Sequence, residues 1–210
     1  MTPDTIASMD IETLSTNTNA KILSFGMVMI DPSKDLTFEE ICATGIEILF
    51  RTDVQADRHE SLSTRKWWSE QGPEAQRVLE PGDAAIHPED FYKALEHYAS
   101  AIEMQKCRWY TRGPHFDISR MDSLFETYNI SAPWKYYKVR DIRTWLEENG
   151  LEDNIKLEKP PGMIPHNAMH DAAFDAWMML QILHGKPLVR DSGKKPPLTF
   201  EAMRAIGGAR

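Results

Sequence analysis

Asp10 and Glu12 stand two residues apart in the run Thr5-Ile6-Ala7-Ser8-Met9-Asp10-Ile11-Glu12-Thr13. Side chains alternate along a strand, so the two carboxylates share one face while Met9 and Ile11 take the other. Two like charges that close favour protonating one of them, and a bound cation reverses that preference. Mg²⁺ suits such a place, because it takes oxygen ligands and is usually held by one or two carboxylates plus substrate phosphates. Taken alone, Asp-x-Glu reads equally well as an exposed edge strand bearing two solvated acids.

A second acidic pair, Asp171 and Asp175, lies four residues apart in a segment that reads as a helix over 168–184. Apolar side chains occupy nearly every direction of its later turns, so the helix is buried and both acids lie on one face. Carboxylates there need a cation, a proton or strong hydrogen-bond donors. The stretch His166-Asn167-Ala168-Met169-His170-Asp171-Ala172-Ala173-Phe174-Asp175 holds two overlapping copies of His, four residues, then Asp. His170 and Asp175 would sit about 140° apart inside the helix and would not converge. His166 follows Pro165 and precedes Asn167, the expected cap, and can swing from the loop over Asp171. The geometry therefore favours His166 with Asp171, leaving His170 and Asp175 as an alternative register or as supports behind the site. A zinc site on His166 and His170 lacks the Glu that a metalloprotease helix would supply. Asp117, in Arg112-Gly113-Pro114-His115-Phe116-Asp117, falls in the first turn of an expected helix, where helix-dipole effects alone also favour an acid.

Elements must bring these residues together. Strands are expected over 5–13, 21–30 and 41–50, an antiparallel meander ahead of any helix. Helices follow over 63–71, 73–79 and 88–104, then a strand over 108–111, a helix over 116–128, a strand over 136–139 and a helix capped by Asp141. A Pro- and Gly-rich loop over 159–165 precedes the last helix. Strands first, then alternating helices and strands, predict an α/β fold with a mixed sheet.

The 210 residues suffice for one substantial core, giving one domain over 1–186. Residues 187–210 read as a basic tail or wrapping arm. The last 26 residues carry six Lys/Arg against two acids, a local charge of +4 that leaves −12 on the first 184. An overall charge of −8 argues against a protein that coats nucleic acid, but not against one that grips a strand end. No apolar run reaches the ~20 residues needed to cross a bilayer, and no signal peptide is legible, so a cytoplasmic protein is expected. Cys42 and Cys107 fall in expected strands with no disulfide or metal spacing, and read as buried free thiols.

Asp10-x-Glu12, Asp117 and His166-x-x-x-x-Asp171 together resemble, in order and spacing, the DEDDh branch of the DnaQ-like 3′–5′ exonucleases. Ser63-Thr64-Arg65-Lys66-Trp67-Trp68, Arg140-Asp141-Ile142-Arg143-Thr144 and His170-Asp171 followed by Asp175 look like the phage DexA exonucleases and the related bacterial exoribonuclease-like family. The resemblance implies a ribonuclease H-like, five-stranded-type mixed sheet flanked by helices. It implies two divalent cations, Mg²⁺ or Mn²⁺, with Asp10, Glu12 and Asp171 holding the metal beside the attacking water. Asp10 would bridge to a second metal bound by Asp117, and His166 would act as general base. The implied partner is a single-stranded DNA or RNA 3′ end or a 3′ overhang, and relatives allow a homodimer. Thr13 and Leu14 sit where the terminal nucleotide would lie. Trp67 and Trp68 are candidates for base stacking, although such a pair commonly divides into one core and one partly exposed ring. Arg65, Lys66, Arg112 and Arg143 are candidate phosphate ligands. The rival readings are a catalytically silent end-binding or proofreading-type module, and a phosphoesterase of small nucleotides.

Overall fold

The computed structural model describes residues 5–151 and 156–189. Among them, five strands form one mixed sheet: β1 (Ile6–Thr13), β2 (Ile22–Ile30), β3 (Ile46–Leu49), β4 (Arg108–Thr111) and β5 (Val139–Asp141). Their order is β3-β2-β1-β4-β5, with β1–β2 and β2–β3 antiparallel and β1–β4 and β4–β5 parallel. The helices are α1 (Phe38–Ala43), α2 (Leu62–Ser69), α3 (Pro73–Gln76), α4 (Phe91–Leu95), α5 (Ala101–Lys106), α6 (Asp117–Thr127), α7 (Ile142–Glu148) and α8 (Ala168–Leu183).

The alternation of β1 divides the core into two layers. Ile6, with Val28 and Ile30, packs under α1 and α8. Ala7, Met9 and Ile11, with Phe25 and Met27, pack on the other face against Phe91, Met104 and the Met121, Leu124 and Phe125 side of α6. Asp10 and Glu12 therefore project on the α8 side, in line with Ile6 and the buried Ser8. α8 is buried along most of its length, as an almost uniformly apolar helix must be.

Three expected elements are corrected. The strand expected over 41–50 is only Ile46–Leu49, because Thr37 and Glu40 form a capping box that starts α1 in front of it. Cys42 thus lies half-buried on a helix, while Cys107 is buried just before β4, and both are free. The helix expected over 88–104 is split into a 3₁₀ turn at Pro88–Asp90, α4 and α5, the last started by a second capping box, Ser100 with Glu103. The strand expected over 136–139 begins only at Val139, after a 3₁₀ turn at Tyr136–Lys138.

No helix among the described residues is long and apolar enough to cross a membrane. Of the expected tail, Leu188 is buried against the body and Val189 accepts a hydrogen bond from the Glu158 N–H at 2.8 Å. Residues 190–210 lie outside the described residues.

Candidate active site

One cross-strand row organises the site. Gly26 on β2 pairs with Asp10 on one side and with Glu47 on the other. A Cβ at Gly26 would overlap the backbone of Ala168 and Met169, so the first turn of α8 sits directly on this glycine. Glu47 then reaches the helix start, accepting from Asn167 Nδ2 at 2.8 Å. Asn167 is the cap, its Oδ1 accepting from the His170 N–H at 2.9 Å. The result sets Asp171 opposite Asp10 and Glu12. Neither Gly26 nor Glu47 was singled out in the sequence, where a lone glycine in a strand is only a general sign of close backbone approach.

His166 occupies the left-handed region at φ 59°, uncommon for a residue with a Cβ, and its N–H donates to Asp171 Oδ2 at 2.8 Å. Glu12, His166 and Asp171 bring one ligand atom each within 4.8 Å of one another. The Trp67 and His166 rings meet nearly perpendicular, with centroids 4.7 Å apart. Trp68 anchors that corner, buried at 1% exposure with its Nε1–H on the Thr13 carbonyl at 2.9 Å, while Trp67 stays 39% exposed. Asp117 opens α6 beside β4 and accepts from the Thr111 hydroxyl.

Asp10, Glu12, Asp117, Asp171 and His166 all line one cleft of about 500 Å³, together with Asp175, Arg112, Arg143, Lys159 and Phe116. An adjoining hollow of about 310 Å³ is lined by Glu12, Thr13, Ser63, Thr64, Trp67 and Phe116. Other expectations separate from the cleft. His170 turns away, its Nδ1 accepting from the Ile164 N–H at 3.0 Å and its ring set against Phe38. Leu14 is buried with Leu23, Trp68, Ala75 and Val78. Arg65 is paired with Glu60 at 2.9 Å. Asp175 is held by Arg112, whose Nε lies 3.1 and 3.3 Å from its two oxygens and whose Nη2 also donates to Oδ1.

Burial, then the charges of Asp117, Glu12, Asp171 and Asp175, raises the Asp10 carboxyl well above its ordinary range. Burial followed by Asp171, Asp117 and Glu47 does the same to Glu12. Asp117 is pushed up to about 7 by burial, against the Thr111 hydrogen bond, and Asp171 to about 6 by burial and Asp175, against the His166 N–H. Burial and then Lys159 hold His166 below its ordinary value. An all-oxygen cluster of this kind suits a hard divalent cation.

A family model described as the Rv2179c-like 3′–5′ exoribonuclease domain matches residues 5–183. The chain belongs to that family. It is a DnaQ-like 3′–5′ exonuclease, and the sheet order and flanking helices are those of a ribonuclease H-like fold. The exonuclease is 28% identical over 197 residues to a protein of Enterobacteria phage T4 named exodeoxyribonuclease, a match covering 81% of this chain and 86% of the relative. Among solved structures, the S. pombe Pop2p with Mg²⁺ and Mn²⁺ bound superposes with a TM-score of 0.55 at 15% identity, covering 84% of this chain and 82% of that one. The nuclease domain of 3′hExo, a DEDDh family member bound to rAMP, gives 0.50 at 14% identity over 90% and 96%. The cell-death related nuclease 4 gives 0.53 at 16% over 89% and 66%. At these identities the structural likeness speaks to the fold.

Proposed function

We propose that this exonuclease releases nucleoside 5′-monophosphates from the 3′ end of single-stranded nucleic acid or a 3′ overhang, using two divalent cations, Mg²⁺ or Mn²⁺, and His166 as general base. The observation that carries the reading is the convergence of four carboxylates and His166 in one cleft, every carboxyl raised by burial. Such a cluster is costly without cations.

Asp10, Glu12 and Asp171 would hold the ion beside the attacking water, and Asp10 with Asp117 the second. Bound cations of this kind polarise the attacked phosphate and stabilise both the entering and the leaving oxygen of an in-line displacement. His166, kept neutral at pH 7 by its lowered pKa, takes a proton from the attacking water. Asp171 fixes the loop that carries it through the backbone N–H. The water oxygen bonds to phosphorus as the bond from phosphorus to the 3′ oxygen of the preceding nucleotide breaks. That oxygen is protonated from solvent, leaving a nucleoside 5′-monophosphate and a strand one residue shorter. Thr13 and Trp67, which line the adjoining hollow, would meet the terminal nucleoside, and Arg143 the strand's phosphates.

The family description names RNA and the phage relative's name DNA, so both sugars are compared. The protein and an Asp10→Ala control would be incubated with matched 5′-labelled DNA and RNA oligomers, single-stranded or with 3′ overhangs, in Mn²⁺ and in EDTA. A metal-dependent ladder shortening from the 3′ end, absent in the control, is expected. Binding without shortening would favour the silent module, and cleavage of a mononucleotide ester in preference to an oligomer would favour a small-nucleotide phosphoesterase.

A further inference from the structure

We infer that Arg112 is a further catalytic residue, whose guanidinium, clamped by Asp175, contacts the scissile phosphate; this rests on the exonuclease reading above. Five acids line the cleft, but the fifth is committed differently from the rest. Both oxygens of Asp175, 4% exposed, accept from Arg112 Nε, and Oδ1 accepts from Nη2 as well. Asp175 is therefore spent as an anchor and Arg112 is fixed at two corners of its fork.

The third corner, Nη1, makes no hydrogen bond among the described residues, and a third of the side chain remains exposed. Arg58 shows what a purely structural arginine looks like in the same molecule: Nε, Nη1 and Nη2 all end on carbonyl or hydroxyl oxygens of Ala20, Ser123, Thr127 and Arg120. Arg112 instead lines the cleft among the four acids. Burial works against its charge, while Asp175, Asp10 and Asp171 hold it above its ordinary value.

Charge balance gives this corner a task. Four carboxylates balance the formal charge of two divalent cations, so the set carries no net positive charge to offset what gathers on the non-bridging phosphate oxygens as water adds. A donor already held in place costs no reorganisation at that moment. Lys159 sits on the loop before α8 at the end of a flexible stem and offers a point charge in place of a planar fork.

The test uses Arg112→Gln, Arg112→Lys and the charge-neutral double variant Arg112→Gln/Asp175→Asn, each measured for Tm, for kcat and KM on a labelled oligomer, and for oligomer affinity in Ca²⁺ by anisotropy. The single Gln variant strands Asp175 and is expected to melt lower. The double variant is expected to regain the parent's Tm and bind the oligomer within a few-fold, yet lose about 100-fold in kcat. Arg112→Lys, which keeps charge without the fork, is expected to fall between. Recovery of kcat together with Tm in the double variant would show that Arg112 only neutralises Asp175, and a loss confined to KM would equally overturn the inference. Should the double variant melt low, Arg112→Lys decides, since unchanged kcat there removes the need for a guanidinium. A parent without a metal-dependent ladder would instead sink the exonuclease reading itself.

Discussion

Two regions of this molecule bury charge, and they treat it in opposite ways. Beneath α6, Arg58 is 6% exposed and each of its nitrogens ends on a carbonyl or hydroxyl oxygen, while nearby Gln55 bonds the backbone of Ile22 through both its amide oxygen and nitrogen. In the cleft, Asp10, Glu12, Asp117 and Asp171 share one lining, and their carboxyls are raised first by burial and then by the charges of neighbouring carboxylates. A saturated buried charge ties chain segments together, whereas an unsaturated one is kept for something that arrives from outside. The first kind should fail as lost stability and the second as lost chemistry.

The largest effect expected is on activity: Asp117→Asn should reduce exonuclease turnover by about 10³-fold or more. The same change should raise the metal-free Tm by about 3 °C, because it removes a repelled charge and keeps an acceptor for Thr111. A lower Tm would break the contrast. Arg58→Ala should do the reverse, costing about 3 kcal/mol in denaturant unfolding while leaving kcat of the folded fraction near the parent's. Gly26→Ala should cost about 2 kcal/mol and lower kcat about tenfold, since α8 must move off Asp10.

The pH dependence sharpens the comparison. Asp171 and Asp117 have folded values near 6 and 7, above the unfolded carboxylate value, so the folded metal-free chain holds more protons. That contribution to stability is complete below about pH 4 and is lost as pH rises through 6 to 7. Metal-free Tm should therefore fall between pH 5.5 and 8 in a scanning calorimeter, and saturating Mn²⁺ should reverse the trend. The smallest effect is expected at Trp67, where replacement by Ala should raise KM about tenfold with kcat little changed.

Much of the site was legible because its signals are local. Alternation put Asp10 and Glu12 on one face, helical spacing put Asp171 one turn from Asp175, and the cap at Asn167 separated His166 from His170. Trp67 and Trp68 divided into an exposed and a buried ring as such pairs commonly do. What escaped depends on partners distant in sequence. Gly26 matters because α8 lies on it and Glu47 because Asn167 reaches it, and although Asp175 was legible as a support, its donor Arg112 stands 63 residues away. The misplaced third strand is different, since Thr37 and Glu40 carry a capping box in the sequence and the β-branched run after them outweighed it.

The central claim, that the unsaturated acids form a cation site, is tested most directly by calorimetric titration of Mn²⁺ into the metal-free protein at pH 7, in two buffers of different ionisation enthalpy. The account predicts uptake of two ions with net release of protons, both abolished or halved by Asp10→Ala. Absence of binding, or binding without proton release alongside exonuclease activity that persists in excess EDTA, would contradict it.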